Sequence, residues 1–240
     1  MYSIIINFDE ETFRKLNEGK YNLYCFLASR SPNRSSAVPL CWGAANFFLQ
    51  TLKLEWENRI CAFVSTSQIK ENDVVFIPPY NSSMSHRFEE LVSEVAVSTG
   101  VTGSIKPIQL KQRMLIGDQG QISVDTNNND DTVLIQNNSR KEFTTGICIL
   151  DTLNKKYVGS SAFDIIGGTT IKVVPENKIF LTLSTRKVQT NTVIIYAENS
   201  GILIDLTGSP NNQELYGIIL KKDGVQITKF GGKTILQIRT

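Results

Sequence analysis

The chain has one histidine, four cysteines without CxxC spacing, and neither a GxGxxG nor a GxxxxGK[ST] motif. Each absence excludes a class of chemistry. A single histidine means that any Ser/His/Asp or Cys/His mechanism must use His86, which lies in a Ser-rich stretch beside Arg87, and no GxSxG elbow supplies a nucleophile. One histidine without paired cysteines also argues against a structural or catalytic zinc. The missing glycine motifs remove the ordinary phosphate cradles of nucleotide-binding proteins. No apolar run approaches the roughly 20 residues of a membrane-spanning helix. The opening MYSIIINFDEE lacks a basic n-region and has too short an apolar run for a secretory leader. These features predict a cytoplasmic protein with no transmembrane segment, with a removed leader or unconventional export as the alternative.

Excess charge is missing too. With 25 basic and 23 acidic residues the net charge is +2, so no long-range field holds a polyanion, and nucleic acid is excluded as a partner. Cys25, Cys41, Cys61 and Cys148 lie mostly in apolar, strand-like contexts, where a reduced thiol behaves as a small hydrophobe. Their even number also permits disulfides, which makes the same four residues candidate intermolecular thiols.

What is present reads as β-structure. Hydrophobic residues make up 41% and charged residues 20%, enough apolar material for a core. The organising stretch is Ile171–Leu206, which reads as four short strands separated by turns. In Lys178–Arg186, Ile179, Leu181 and Leu183 alternate with Phe180, Thr182 and Ser184, the period of a strand with one buried face. Pro175-Glu176-Asn177 reads as a turn before it. Thr192–Ala197 is β-branched and aromatic on both faces, which predicts a central strand. Asn199-Ser200-Gly201 then turns the chain into Ile202–Leu206.

Elsewhere, Ser3–Phe8 and Asn22–Ser29 read as strands, and Asp9–Glu18 as a short helix capped by Asp9 and stopped by Gly19. Phe48–Trp56 and Arg59–Thr66 flank Glu57-Asn58 as a hairpin, and Val74–Ile77 is a short strand. Gly117–Gly120 is a hairpin loop, while Val133–Gln136 and Thr144–Leu150 are further strands. Tyr216–Leu220 and Val225–Phe230 form a hairpin around Asp223-Gly224, and Thr234–Arg239 closes the chain as an edge strand. No internal repeat suggests a propeller or solenoid. The expected fold is an all-β antiparallel sandwich or jelly roll with one short N-terminal helix. Val101–Lys106 offers a boundary between halves 1–100 and 101–240, with one domain over 1–240 as the alternative.

Candidate sites are few. Asp125, Asn127, Asn129 and Asp131 place oxygens at alternating positions, as calcium loops do. The glycine at the sixth position and the glutamate at the twelfth are missing, so a solvated hairpin tip is the default. Trp42, Trp56 and Tyr80, with Tyr21 and Tyr24, can form an aromatic platform for a sugar ring or a lipid interface. The competing reading puts both tryptophans in the core, Trp56 continuing the face of Leu52 and Leu54. Asn33, Asn81 and Asn137 head glycosylation sequons that have no use without export. The edge strand, at Thr234, Leu236 and Ile238, exposes backbone groups to which a second copy can add. The expected function is non-enzymatic and cofactor-free: self-association into a homo-oligomer or lattice, as in a structural, storage or inclusion protein. The alternative is a glycan- or membrane-binding module of lectin or β-rich pore-forming type.

Overall fold

Period-two alternation sets the first strand, β1 (Tyr2–Phe8), which buries Ile4, Ile6 and Phe8 on one face. The computed structural model describes residues 2–34, 37–78, 80, 102–152, 155–196, 201–207, 213–221, 224–229 and 235–237, with side chains as far as residue 207 except at Ala44 and Asn58. Helix α1 (Glu10–Glu18) follows, and the Asp9 carboxylate caps it by accepting from the Thr12 backbone N–H at 2.9 Å. Such a cap stabilises a helix by about 1 kcal/mol. Leu16 is the residue that α1 buries most fully.

The chain continues through β2 (Asn22–Arg30), β3 (Val38–Pro39), β4 (Gly43–Ala45), β5 (Thr51–Ser65), β6 (Gly103–Ile108), β7 (Arg113–Ile116) and β8 (Ile122–Asp125). It then forms β9 (Val133–Asn137), β10 (Phe143–Asp151), β11 (Lys156–Ile165), β12 (Thr170–Ser184), β13 (Gly201–Asp205), β14 (Gln213–Lys221), β15 (Gly224–Lys229) and β16 (Ile235–Gln237). One nine-stranded sheet runs β16-β15-β14-β1-β5-β10-β11-β3, with β6 also on β5. A seven-stranded sheet runs β4-β2-β12-β9-β7-β8, with β13 also on β12. The protein is an all-β sandwich with one short helix. Its main core is the apolar layer between the sheets, where Ile4, Leu27, Trp56, Met114, Ile147, Phe163, Ile171 and Ile179 meet.

Several expectations change. Residues 51–65 form one long strand, not a hairpin. Ile60 pairs with Ile149 and Glu57 with Leu150, so Asn58 and Arg59 are taken up in a bulge, and the polar residues that read as a turn lie there. Glu57 and Arg59 pair with each other across it at 2.7 Å. β12 likewise runs through Pro175-Glu176-Asn177, absorbing them as a register shift between Pro175 and Ile179. Residues 192–196, expected with Ala197 to form a central strand, do not: Val193 and Thr192 make isolated bridges to Leu40 and Val74, and Ile195 and Tyr196 are exposed, while Ala197 lies outside the described residues. Val74–Ile77 reduces to that one bridge. The sandwich is not wholly antiparallel, because β1 pairs with β14 and β7 with β9 in parallel. Each sheet contains strands from before and from after residue 101. The turn at Asn199-Ser200 lies outside the described residues.

The outer faces of both sheets are also covered. Leu40, Phe63, Val75 and Val193 pack on the nine-stranded sheet, and Tyr24, Phe26 and Cys41 form a smaller cluster on the other. β10 is therefore buried along most of its length on both faces. At Gly146, an added Cβ would lie 2.0 Å from the Ser161 carbonyl oxygen and 2.9 Å from the Phe63 ring. Because the first of these is backbone, Gly146→Ala is expected to destabilise the fold by about 2 kcal/mol or more, read as a lower urea midpoint with an unchanged slope.

Candidate functional site

On β2, alternation sends Leu23, Cys25 and Leu27 into the main core and Tyr24 and Phe26 to the outer face. Phe180 lies opposite Phe26 in register and Leu203 opposite Phe180, which makes an apolar row across β2, β12 and β13. The Phe26 and Phe180 rings are 6.1 Å apart and tilted by 44°. Leu203 is 59% exposed.

The segment carrying Ile194 crosses beside this row and is stitched to the chain around β3. Cys41 N–H donates to the Thr192 carbonyl at 2.9 Å, Asn191 N–H to the Cys41 carbonyl at 2.7 Å, and Ile194 N–H to the Pro39 carbonyl at 3.3 Å. Between this segment, β2 and the β3–β11 edge lies an open cleft of about 280 Å³. Phe26, Phe180, Ile194 and Ile195 supply its apolar walls; Ser29, Ser160 and Ser161 are its polar lining. The Ser29 hydroxyl donates to the Ser161 hydroxyl. Among the described residues, no ionisable side chain lines this cleft, so none of its lining residues supplies a base to its serines.

The residues singled out in the sequence do not gather there. Trp42 and Trp56 are 4% and 1% exposed and pack edge-to-face at 5.5 Å inside the main core, where Tyr2 stacks on Trp56. They form no surface platform, because their large apolar area is used between the sheets. Tyr80 is half-buried and meets Tyr157 edge-on at 5.7 Å. All four thiols are free and buried: Cys25 in the main core, Cys41 in the outer cluster of the seven-stranded sheet, Cys61 and Cys148 on the nine-stranded one. As intermolecular thiols they are out of reach in this fold. Burial raises all four, Cys41 and Cys61 to about 12 and Cys25 and Cys148 well above the usual 9.0.

The Asp125 carboxylate accepts two bonds from Arg113, at 3.2 and 2.7 Å, which hold it below the usual carboxylate range. Asp130 pairs with Lys172, and Asp131 with Lys111 at 3.1 Å. Each carboxylate in this loop thus has its own cation. Among the described residues no group of three or more His, Cys, Asp or Glu gathers. Asn137 is buried and donates to the Lys141 and Ile165 carbonyls while accepting from Ser139, so its amide is fully engaged in the fold. Asn33 likewise donates to Thr170 and accepts from Lys172. β16 occupies one end of the nine-stranded sheet and contains Leu236. His86, Asn81, Thr234 and Ile238 lie outside the described residues.

The cleft was missed because its lining comes from five separate segments. The signal for it was the unbroken apolar run Leu23–Ala28, which implies cover on both faces of β2. A second feature was also overlooked: Phe47 and Leu49 are 67% and 61% exposed on either side of buried Phe48. Asn17 clamps this loop, donating to the Phe48 carbonyl and accepting from its N–H, both at 2.9 Å.

The class defined by this architecture is a two-sheet all-β sandwich. No protein-family model, curated protein or solved structure matches the chain. No helix among the described residues is long and apolar enough to cross a membrane.

A thiol reagent at pH 8 should find the native protein almost unreactive and should titrate four thiols after denaturation. Since the folded thiol pKa lies above its unfolded value, the stability linked to it is present below pH 9.0 and is lost as pH rises toward 12. Trp56→Ala should cost about 3–5 kcal/mol in chemical denaturation, whereas Tyr196→Ala, 77% exposed, should change stability by about 0.5 kcal/mol or less.

Proposed function

We propose that this protein acts without catalysis, by associating with copies of itself into homo-oligomers or a lattice, as a structural, storage or inclusion protein does. The observation that carries this reading is the position of β16. It ends the nine-stranded sheet, and among the described strands none pairs with its far side. A strand so placed presents unpaired N–H and C=O groups to which another strand can add. A net charge of +2 sets little self-repulsion against this. The absence of ionisable side chains, among the described residues, from the lining of the apolar cleft favours a binding role over a catalytic one.

A glycan- or membrane-binding role is the second reading. It now draws on Phe47 and Leu49, two exposed apolar side chains on a clamped loop, and no longer on the buried tryptophans. Light scattering after size exclusion, over a range of protein concentration, separates the two. Self-association predicts a mass that climbs with concentration, indifferent to reductant because the thiols are buried. Leu236→Lys, with circular dichroism as the folding control, should lower that mass. A constant monomer mass at every concentration overturns the proposal, and binding to neutral lipid vesicles that is lost in Phe47→Ser/Leu49→Ser then supports the second reading.

A further inference from the structure

We infer that the cleft beside β3 is a binding site for a small, neutral, ring-bearing molecule that carries one hydrogen-bonding group. This inference does not depend on self-association: β3 is at the opposite end of the nine-stranded sheet from β16.

Size sets the first limit. At about 280 Å³ the cleft falls just below the usual span of ligand pockets, which run from about 300 to 1,000 Å³. It holds one ring system and is too small for a folded partner's surface. Charge sets the second. Among the described residues none of its lining side chains is ionisable, so an ionic ligand would lose hydration without gaining a counter-charge from them. Shape sets the third. The tilted Phe26 and Phe180 rings offer an incoming ring both edge and face, the two arrangements that aromatic groups prefer.

The polar lining fixes orientation. A hydroxyl has one donor and two acceptor lone pairs. With Ser29 donating to Ser161, the Ser161 O–H is left to donate elsewhere and both oxygens keep acceptor capacity. Ser160, fully buried, donates a long bond of 3.4 Å to the Ile147 carbonyl. One polar substituent on an otherwise apolar ligand therefore finds both a donor and an acceptor at the serine side.

The site is also preformed. Ser29 and Ser161 stand on β2 and β11, Phe26 and Phe180 are paired in register on β2 and β12, and Ile194 is held by its bond to Pro39. The Ile195 N–H is fixed as well, donating to the Glu71 carboxylate. A rigid cleft loses little conformational entropy on binding.

Indole is the probe: neutral, one fused ring, one N–H. Calorimetric titration of the full chain should show one indole per chain, with indole-acetate, which adds a negative charge, bound at least about tenfold more weakly. Naphthalene, of similar size but without a polar atom, should bind more weakly than indole, and Ser161→Ala should narrow that gap. Ala28→Phe places bulk at the cleft and should weaken indole binding at least about tenfold with an unchanged unfolding temperature. Ala37→Leu does the same from the other side and serves if Ala28→Phe is unstable. Failure of indole to bind, equal affinity for indole and indole-acetate, or native affinity in both filling variants would overturn the inference.

Discussion

The antiparallel ladder that joins β10 to β5 on one side and β11 on the other is the contact on which the rest of the molecule depends. Its middle strand is apolar on both faces, so it needs cover from two directions. Inward, Ile147 and Ile149 enter the main core; outward, Cys148 joins Phe63 and Leu40. A fully buried side chain of this size contributes about 1.5–3 kcal/mol, and leaving either face wet would forfeit several such terms. The close approach of β10 to β11 needs a residue without a Cβ at Gly146. The second sheet and the segments laid over the outer faces are the two answers to this demand.

Those outer segments explain where the cleft lies. The chain around Thr192 and Val193 bridges Leu40 and Val74 and so ties the covering layers near β3 together. Ile194 then reaches the Phe26 cluster, while Ile195 and Tyr196 turn toward solvent. The cover is thus tight at β3 and open beyond it. The opening keeps two phenyl rings and a serine pair in one concave surface, because strand pairing holds their backbones whether or not anything fills the space.

Turn residues were the least dependable part of the sequence to interpret. Glu57-Asn58 and Pro175-Glu176-Asn177 have the polar composition of turns, yet both are irregularities inside 15-residue strands. A bulge needs the same exposed polar residues as a turn, and the distinction rests on whether a neighbouring strand continues past the interruption. β10 continues beside β5, and β2 beside β12. Gly117–Gly120, where a neighbour does not continue, is a hairpin as its residues imply: Gly117 N–H bonds the Gln121 carbonyl, and Gly120 has a positive φ of 77°. Aromatic residues misled in another way. Trp42 and Trp56 suit a surface platform and a core equally by type, and only packing between two sheets assigns them to the core.

What the sequence determined by itself is local: strands wherever apolar residues alternate, one helix capped at Asp9, reduced thiols in apolar runs, and a nearly neutral surface. These depend on neighbours a few residues apart, and period and composition report them directly. The tertiary structure alone decided which strands meet. The parallel pairing of β1 with β14 joins residues more than two hundred positions apart, and the cleft takes its lining from β2, β3, β11, β12 and the segment at Ile194. Alternation says that a face will be buried, but the identity of what buries it follows from long-range packing, which no short stretch of sequence encodes.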